Sequence, residues 1–523
     1  MKTPIANILL TSSILALMSP HSQGADYYWA PVGPASWDDS GNWSGPGGVP
    51  GVGDRALVTT TEADETTTLI LRSDTAVDKI QAQSGGSGRV FATIDGGGSY
   101  GMTLNSAVTS LNGSSVTFNS DVVSNSSYYE VDGTSSVTFS SGYTYSGIIG
   151  SSGSSGTINL YSDIFDGGAE NIALDMRGGI LNWRVGSFSS TNLNAGVLRV
   201  SGRYGAATMN LESSLDLSGS GGLYLGYSGT NVKASTYGVR DGVELSDNII
   251  TGTAGSGGAS VNILTLGAND NTATSGSTSE VTFAGNYEMR DGGNARTHRF
   301  HAADNNTAVF SGVIKDNGGS ENAILEKTGE GIVIFSGASA NTYSVGSSFL
   351  VKSGTLRLSK DSGVDALAGD VEVESGATLE LGSSNQINDS GNLVLSGGTF
   401  DLGGNQEELG TLSLTADSTL ILDSGSSVAF SNSSGLWESD SILTITGTID
   451  SMSIRFGTDE TGLTETQLSQ IIFSDYSEVT ASLDESGYMT LVPIPEASVF
   501  SLIIGASVLG FVSLRRRSGR NSE

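Results

Sequence analysis

Short runs in which apolar and polar residues alternate fill the middle of the chain. Examples are Thr68-Leu-Ile-Leu-Arg72, Val116-Thr-Phe118, Val137-Thr-Phe139 and Thr157-Ile-Asn-Leu-Tyr161, and the series continues through Val197–Val200, Leu223–Leu225, Val261–Leu266, Val281–Phe283 and Ile332–Phe335. Alternation of period two, bounded by Gly, Ser, Asn and Asp, predicts strands and turns, and no long stretch has helical periodicity. One short helix is expected at Glu465 to Gln470, with Leu463 and Leu468 turned to the end of the stacked strands, where it would cap the open last coil.

The spacing of these runs predicts the architecture. Leu111-NGSSVTF aligns with Val131-DGTSSVTF, which places Phe118 and Phe139 21 residues apart. Further on, GTLRL, ATLEL and GTFDL place Leu356, Leu379 and Phe400 at intervals of 23 and 21. A coil of that length holds two or three short strands and their turns. It cannot bury its own apolar face, so neighbouring coils must stack. The expectation is an all-β, right-handed parallel β-helix or β-solenoid. A β-sandwich has similar strands but less reason to hold a near-constant interval. Glycine, at 73 of 523 residues, would serve the corners.

The two ends have a different pattern. Lys2, the apolar run Ile5 to Met18 and the small residues near Ala25 read as a secretory signal peptide over residues 1–25. At the other end, PIPEAS at 493–498 precedes an uncharged stretch from Ala497 to Leu514, and Arg515, Arg516 and Arg517 follow. Those 18 residues are long enough for one C-terminal transmembrane helix. The arginines favour the cytoplasmic side, while Pro493 and Pro495 keep the approach extended. The three-part tail resembles the PEP-CTERM sorting signal of Gram-negative bacteria, with Pro495 and Glu496 at the first two motif positions and Ala497 in place of the second proline. The resemblance implies processing by an exosortase-type enzyme after export through the Sec translocon. An ordinary permanent tail anchor is the alternative.

Residues 325–358 resemble the autotransporter-associated β-strand repeat, at Leu325, Lys327, Thr328, Gly329, Gly331, Ser336, Gly337, Asn341, Thr342, Tyr343, Gly346, Gly354, Thr355 and Leu356. From Leu409 to Leu491 the chain is similar to a module often found before PEP-CTERM tails. The expected organisation is therefore a leader at 1–25, a Trp-rich cap at 26–60, solenoid repeats at 61–320, the repeat-like region at 321–408, a C-terminal β module with its short helix at 409–492, and the sorting signal at 493–523.

Composition narrows the chemistry. Lysine and arginine total 24 against 55 acids, a formal net charge of −31. A nucleic-acid partner would need a basic face and is not expected. No cysteine is present, which excludes thiolate metal sites, disulfides and cysteine nucleophiles. His298, His301 and Asp304 are the only metal-like cluster, but residues three apart on a strand point to opposite faces. Adjacent acids, Asp38 with Asp39 and Glu407 with Glu408, diverge for the same reason and make a poor acid–base pair. Calcium suits acids at turns better than zinc does, yet no calcium-loop spacing is present.

The sequence predicts no catalytic residue, cofactor or metal site. Trp37 and Trp43 have two readings: contact with a glycan by ring stacking, or an aromatic plug over the first coil. The plug is preferred, because an end must be closed whatever the protein does. The functional expectation is an exported, non-catalytic structural or adhesive rod of the cell surface or extracellular matrix, held transiently in the inner membrane. Extracellular polysaccharide is the candidate external partner, and a polysaccharide-binding or polysaccharide-degrading (lyase or hydrolase) β-helix is the rival.

Overall fold

Ser115–Phe118 and Ser136–Phe139 show how the chain is built. The two strands pair in parallel, with Val116 opposite Val137 and Phe118 opposite Phe139. The four apolar side chains are buried, whereas Thr117 and Thr138 between them are not. Thus the 21-residue interval is one coil, and the side-chain period of two sends every second residue inward. The intervals among Leu356, Leu379 and Phe400 have the same origin, for these residues are opposite one another on successive strands.

The computed structural model describes residues 24–61, 63–124, most of 128–161, strand segments alone between 164 and 268, and 279–494 apart from 291–295, 318–322, 345, 347 and 450–452. The chain is all-β, about 2% helical, and forms a β-solenoid of about 12 turns. A 16-stranded sheet extends from Gly33–Ser36 to Leu412–Ala416. It crosses the 320/321 boundary without a break, since Arg296–Ala302 pairs with Ile324–Thr328. A 10-stranded sheet forms a second wall of the N-terminal half, a seven-stranded sheet spans Ile148–Ile149 to Ile314–Asp316, and a second 10-stranded sheet extends from Glu244–Leu245 to Ile471–Phe473. The interior is a ladder of Leu, Val, Ile and Phe. The rings of Phe118 and Phe139 stack at 4.9 Å, and those of Phe283 and Phe310 at 4.6 Å.

Among the described residues, antiparallel ladders occur only at the two ends. Tyr28 and Trp29 pair antiparallel with Ser44 and Trp43. Val479–Leu483 and Met489–Pro493 form the closing hairpin. Trp43–Ser44 thus covers the edge of the first 10-stranded sheet, and the hairpin stands as a two-stranded sheet of its own after the last coil. The one α-helix among the described residues is Glu465–Ser469, with Gln470 as its C-cap. Thr464 caps its start, and Gln467 completes the capping box. As the spacing predicts, Leu463 is buried and Leu468 packs against the core. Arg55–Thr60, placed by the sequence inside the cap, is already a strand of the solenoid.

No helix of the described residues is long and apolar enough to cross a membrane. Residues 1–23 of the expected leader, Pro495, Glu496, the Ala497–Leu514 segment and Arg515–Arg517 lie outside the described residues. Pro493 ends the closing hairpin opposite Val479 and is exposed.

Candidate functional site

The tryptophans of the N-terminal end pack on one another. The ring of Trp43 is 4.9 Å from that of Trp29 and 4.7 Å from that of Trp37, both edge to face. Trp43 Nε1 donates to the Trp37 carbonyl at 2.8 Å, and Trp29 Nε1 donates to Thr67 Oγ1 at 2.8 Å. Trp37 is 1% exposed and Trp43 7%. Neither ring presents a face to a sugar, so the glycan contact allowed by the sequence gives way to the plug.

The candidate chemical groups are each tied to the scaffold. His298 points inward, wholly buried, with Nδ1 2.8 Å from the Tyr287 hydroxyl. His301 sits on the opposite face with Nδ1 2.9 Å from Thr328 Oγ1. Asp304 is exposed in the following turn and accepts from Asn305 Nδ2. These three do not converge, and no group of three or more metal-binding side chains comes together among the described residues. Asp38 accepts from the Arg72 amide and the Ser73 hydroxyl, while Asp39 caps the turn at Gly41. Glu407 points inward and Glu408 outward, toward Arg455 Nη2 at 3.4 Å.

Three buried ionisable residues were not singled out by the sequence reading as charged core groups. Lys327 donates from Nζ to the carbonyls of Gly329, Gly331 and Ser353 at 2.5, 2.7 and 2.5 Å. Lys360 reaches the carbonyls of Ser336 and Gly312 at 2.8 and 3.3 Å. Burial lowers both ammonium groups to about 8. Glu407 accepts from the Gln386 amide at 2.8 Å, and burial raises its carboxyl to about 8. Period two carried a usable signal: Lys327 has the parity of Leu325, Lys360 that of Leu356 and Leu358, and Glu407 that of Leu409. A polar residue at inward parity beside a corner is a carbonyl or amide cap for the turn. Asn341 and Tyr343, in the same repeat-like segment, act in this way. Asn341 accepts from the Ile314 amide and donates to the Ala366 carbonyl, and Tyr343 accepts from the Ala368 amide.

What remains outward is periodic. Thr68, Thr93, Thr117 and Thr138 lie opposite one another on successive strands of the 16-stranded sheet, and Asn159, Asn182 and Asn210 extend the row. The asparagine amides are linked lengthwise. Asn159 Nδ2 donates to Thr138 Oγ1 at 3.1 Å, Asn182 to Asn159 Oδ1 at 2.8 Å, and Asn210 to Asn182 Oδ1 at 2.9 Å. The row stops where Gly238 faces Asn210 and supplies no side chain. On the other long C-terminal wall, Thr355, Thr378, Thr399, Thr419 and Thr444 form a second row.

Protein-family models, curated proteins and solved structures were compared with the chain, and none matches.

Proposed function

We propose that the chain is an exported, non-catalytic structural or adhesive rod of the cell surface or extracellular matrix. In this reading the solenoid is right-handed, as crossover connections between parallel strands overwhelmingly are. The leader at 1–25 takes it through the Sec translocon. The segment Ala497–Leu514, with Arg515–Arg517 behind it, then holds it in the inner membrane until an exosortase-type enzyme acts at the Pro495-Glu496 motif. The observation that supports this reading is the use made of the polar residues: Lys327, Lys360, Glu407, His298 and the Asp38–Asp39 pair are all spent on closing turns and joining coils. The solenoid also has a closed cap at each end and repeats one polar face over many coils, as a rod that presents a surface would.

The test is a fractionation blot of a chain carrying one epitope after Gly48, in an exposed loop, and a second at the C-terminus. Loss of the C-terminal epitope, with the internal one at the outer surface or in the medium, is the expected result. Both epitopes together in the inner membrane would make the tail a permanent anchor and remove the surface role.

A further inference from the structure

The outward row Thr68, Thr93, Thr117, Thr138, Asn159 and Asn182 has a companion two residues back along each strand, which includes Ser115, Ser136 and Thr157. Rungs of a parallel sheet repeat every ~4.8 Å, and next-but-one residues on a strand are about 6.6 Å apart. The two rows therefore make a lattice of hydroxyl and amide groups, broken in the second row at Phe91 and Ile180. Among the described residues, the hydroxyls of Thr68, Thr93 and Thr117 have no side-chain or backbone partner within the protein. Tyr161 stands at the margin of this lattice, 38% exposed as a residue, with its hydroxyl 3.2 Å from Asn159 Oδ1.

Strand preference accounts for a threonine at each of these positions taken singly, and cross-strand Thr pairs add to stability. It does not account for the absence of charge from the two rows themselves, which the Asp64–Arg89 ion pair flanks on one side and Asp95 on the other. In a chain of net charge −31, neither row carries a charge over these rungs. The second threonine row is more heavily charged, for its companion two residues forward reads Arg357, Glu380 and Asp401 on consecutive strands, where the forward companion of the first row has Asp95 beside Ile70.

We propose that this neutral face binds an extended, uncharged, β-linked polysaccharide laid along the solenoid axis. The proposal relies on the surface reading above only for access to such a polymer. The rung spacing is close to the advance of one sugar residue in an extended β-linked chain, so successive hydroxyls of one glycan strand meet successive coils. Threonine hydroxyls and asparagine amides supply both donors and acceptors for sugar hydroxyls. The Tyr161 ring offers an apolar surface for one sugar ring. A polyanionic glycan is disfavoured, because Arg89, whose guanidinium lies over the Phe91 ring at 5.3 Å, is already paired with Asp64, and the whole chain repels negative charge. An ordered water lattice is disfavoured because Phe91 and Ile180 interrupt the second row.

The experiment is sedimentation of the full chain, purified after export, with microcrystalline cellulose, chitin or β-1,4-linked mannan. Soluble alginate serves as a competitor, and ice-growth inhibition is measured in parallel. Saturable binding to at least one neutral glycan, unaffected by alginate, is expected. Replacing Thr93 and Thr117 together by Val keeps the branched shape and strand preference, and should weaken binding roughly tenfold. Thr93→Lys with Thr117→Lys should abolish it, whereas Thr378→Lys with Thr399→Lys on the other wall should leave it intact. The circular dichroism and melting temperature of the Val pair should match wild type. Failure to bind any of the three neutral glycans would overturn the proposal. So would equal loss in the two lysine pairs, binding to alginate alone, or ice-growth inhibition without glycan binding. The fractionation result is separate: a protein retained in the inner membrane that still binds cellulose would sink the surface role and leave this face standing.

Discussion

Lys327 Nζ donates to the carbonyl of Ser353, 26 residues later in the chain, at 2.5 Å. The same nitrogen holds the carbonyls of Gly329 and Gly331. One lysine thus closes its own corner and ties it to the next. Gly354, at φ +59°, makes room for this, since a Cβ there would come within 2.4 Å of Lys327 Nζ and 2.5 Å of the Gly329 carbonyl. Lys327→Met keeps the apolar stem but leaves the carbonyls of Gly329 and Ser353 without the lysine donor, and that of Gly331 with the Thr355 amide alone. The expected cost is about 3 kcal/mol, seen as a lower urea midpoint. Gly354→Ala should be destabilising in the same assay, through both the clash and the positive φ. A midpoint unchanged in both variants would show that the corner is held by other contacts.

The buried ionisable groups predict a pH dependence with opposite arms. Glu407 is raised from 4.5 to about 8, so between those values the folded chain keeps a proton that the unfolded chain releases. Its contribution to stability falls as pH rises through that window. Lys327 and Lys360 are lowered from 10.5 to about 8, so between 8 and 10.5 the unfolded chain binds more protons. Their contribution rises with pH there. Glu407→Gln retains an acceptor for the Gln386 amide without the titration. The melting temperature of Glu407→Gln relative to wild type should therefore increase from pH 5 to 8 and level off above. A difference independent of pH would contradict the assignment.

The aromatic plug separates two tryptophans that look alike in the sequence. Trp43 touches both Trp29 and Trp37 and uses its N–H, whereas Trp37 Nε1 is buried without a partner. Trp43→Ala should cost about 3–5 kcal/mol and open the first coil to limited proteolysis. Trp37→Phe removes an unpaired donor, and its cost should stay below about 1.5 kcal/mol. Equal protease sensitivity in the two variants would contradict the plug geometry.

At the far end the closing element is held by Gln467. Its Nε2 donates to the Ser433 carbonyl, and its Oε1 accepts from the amides of Gly435 and Thr464. Gln467→Ala should destabilise by about 2 kcal/mol. Because nearest-neighbour coils share stability in a solenoid, the loss should be local. Hydrogen exchange should accelerate in Ile471–Phe473 and Leu443–Gly447 while Ser115–Phe118 stays protected. Uniform acceleration along the rod would instead mark one cooperative unit.

Alternation and register were enough to read the strands and the 21- and 23-residue coils, because each depends on a local period repeated many times; the short helix was legible as a break in that period, but not its capping box. The register that aligned Leu356, Leu379 and Phe400 also aligned Thr355, Thr378 and Thr399, so the outward rows were legible once the coil length was known. The parity of Lys327 and Glu407 was legible too, but not what their polar atoms would meet. The Lys327 ammonium is satisfied by Ser353 on the neighbouring coil, and the Glu407 carboxyl by the Gln386 amide on another. Likewise, three tryptophans within 15 residues suit either an exposed platform or a plug, and only the antiparallel pairing of Trp29 with Trp43 turned them toward one another. The sequence by itself determined the solenoid, since stacking is the one way such short coils can bury their apolar faces. The tertiary structure decided which polar residues are consumed in building it and which face is left for a partner, because those outcomes depend on atoms brought together from coils twenty or more residues apart.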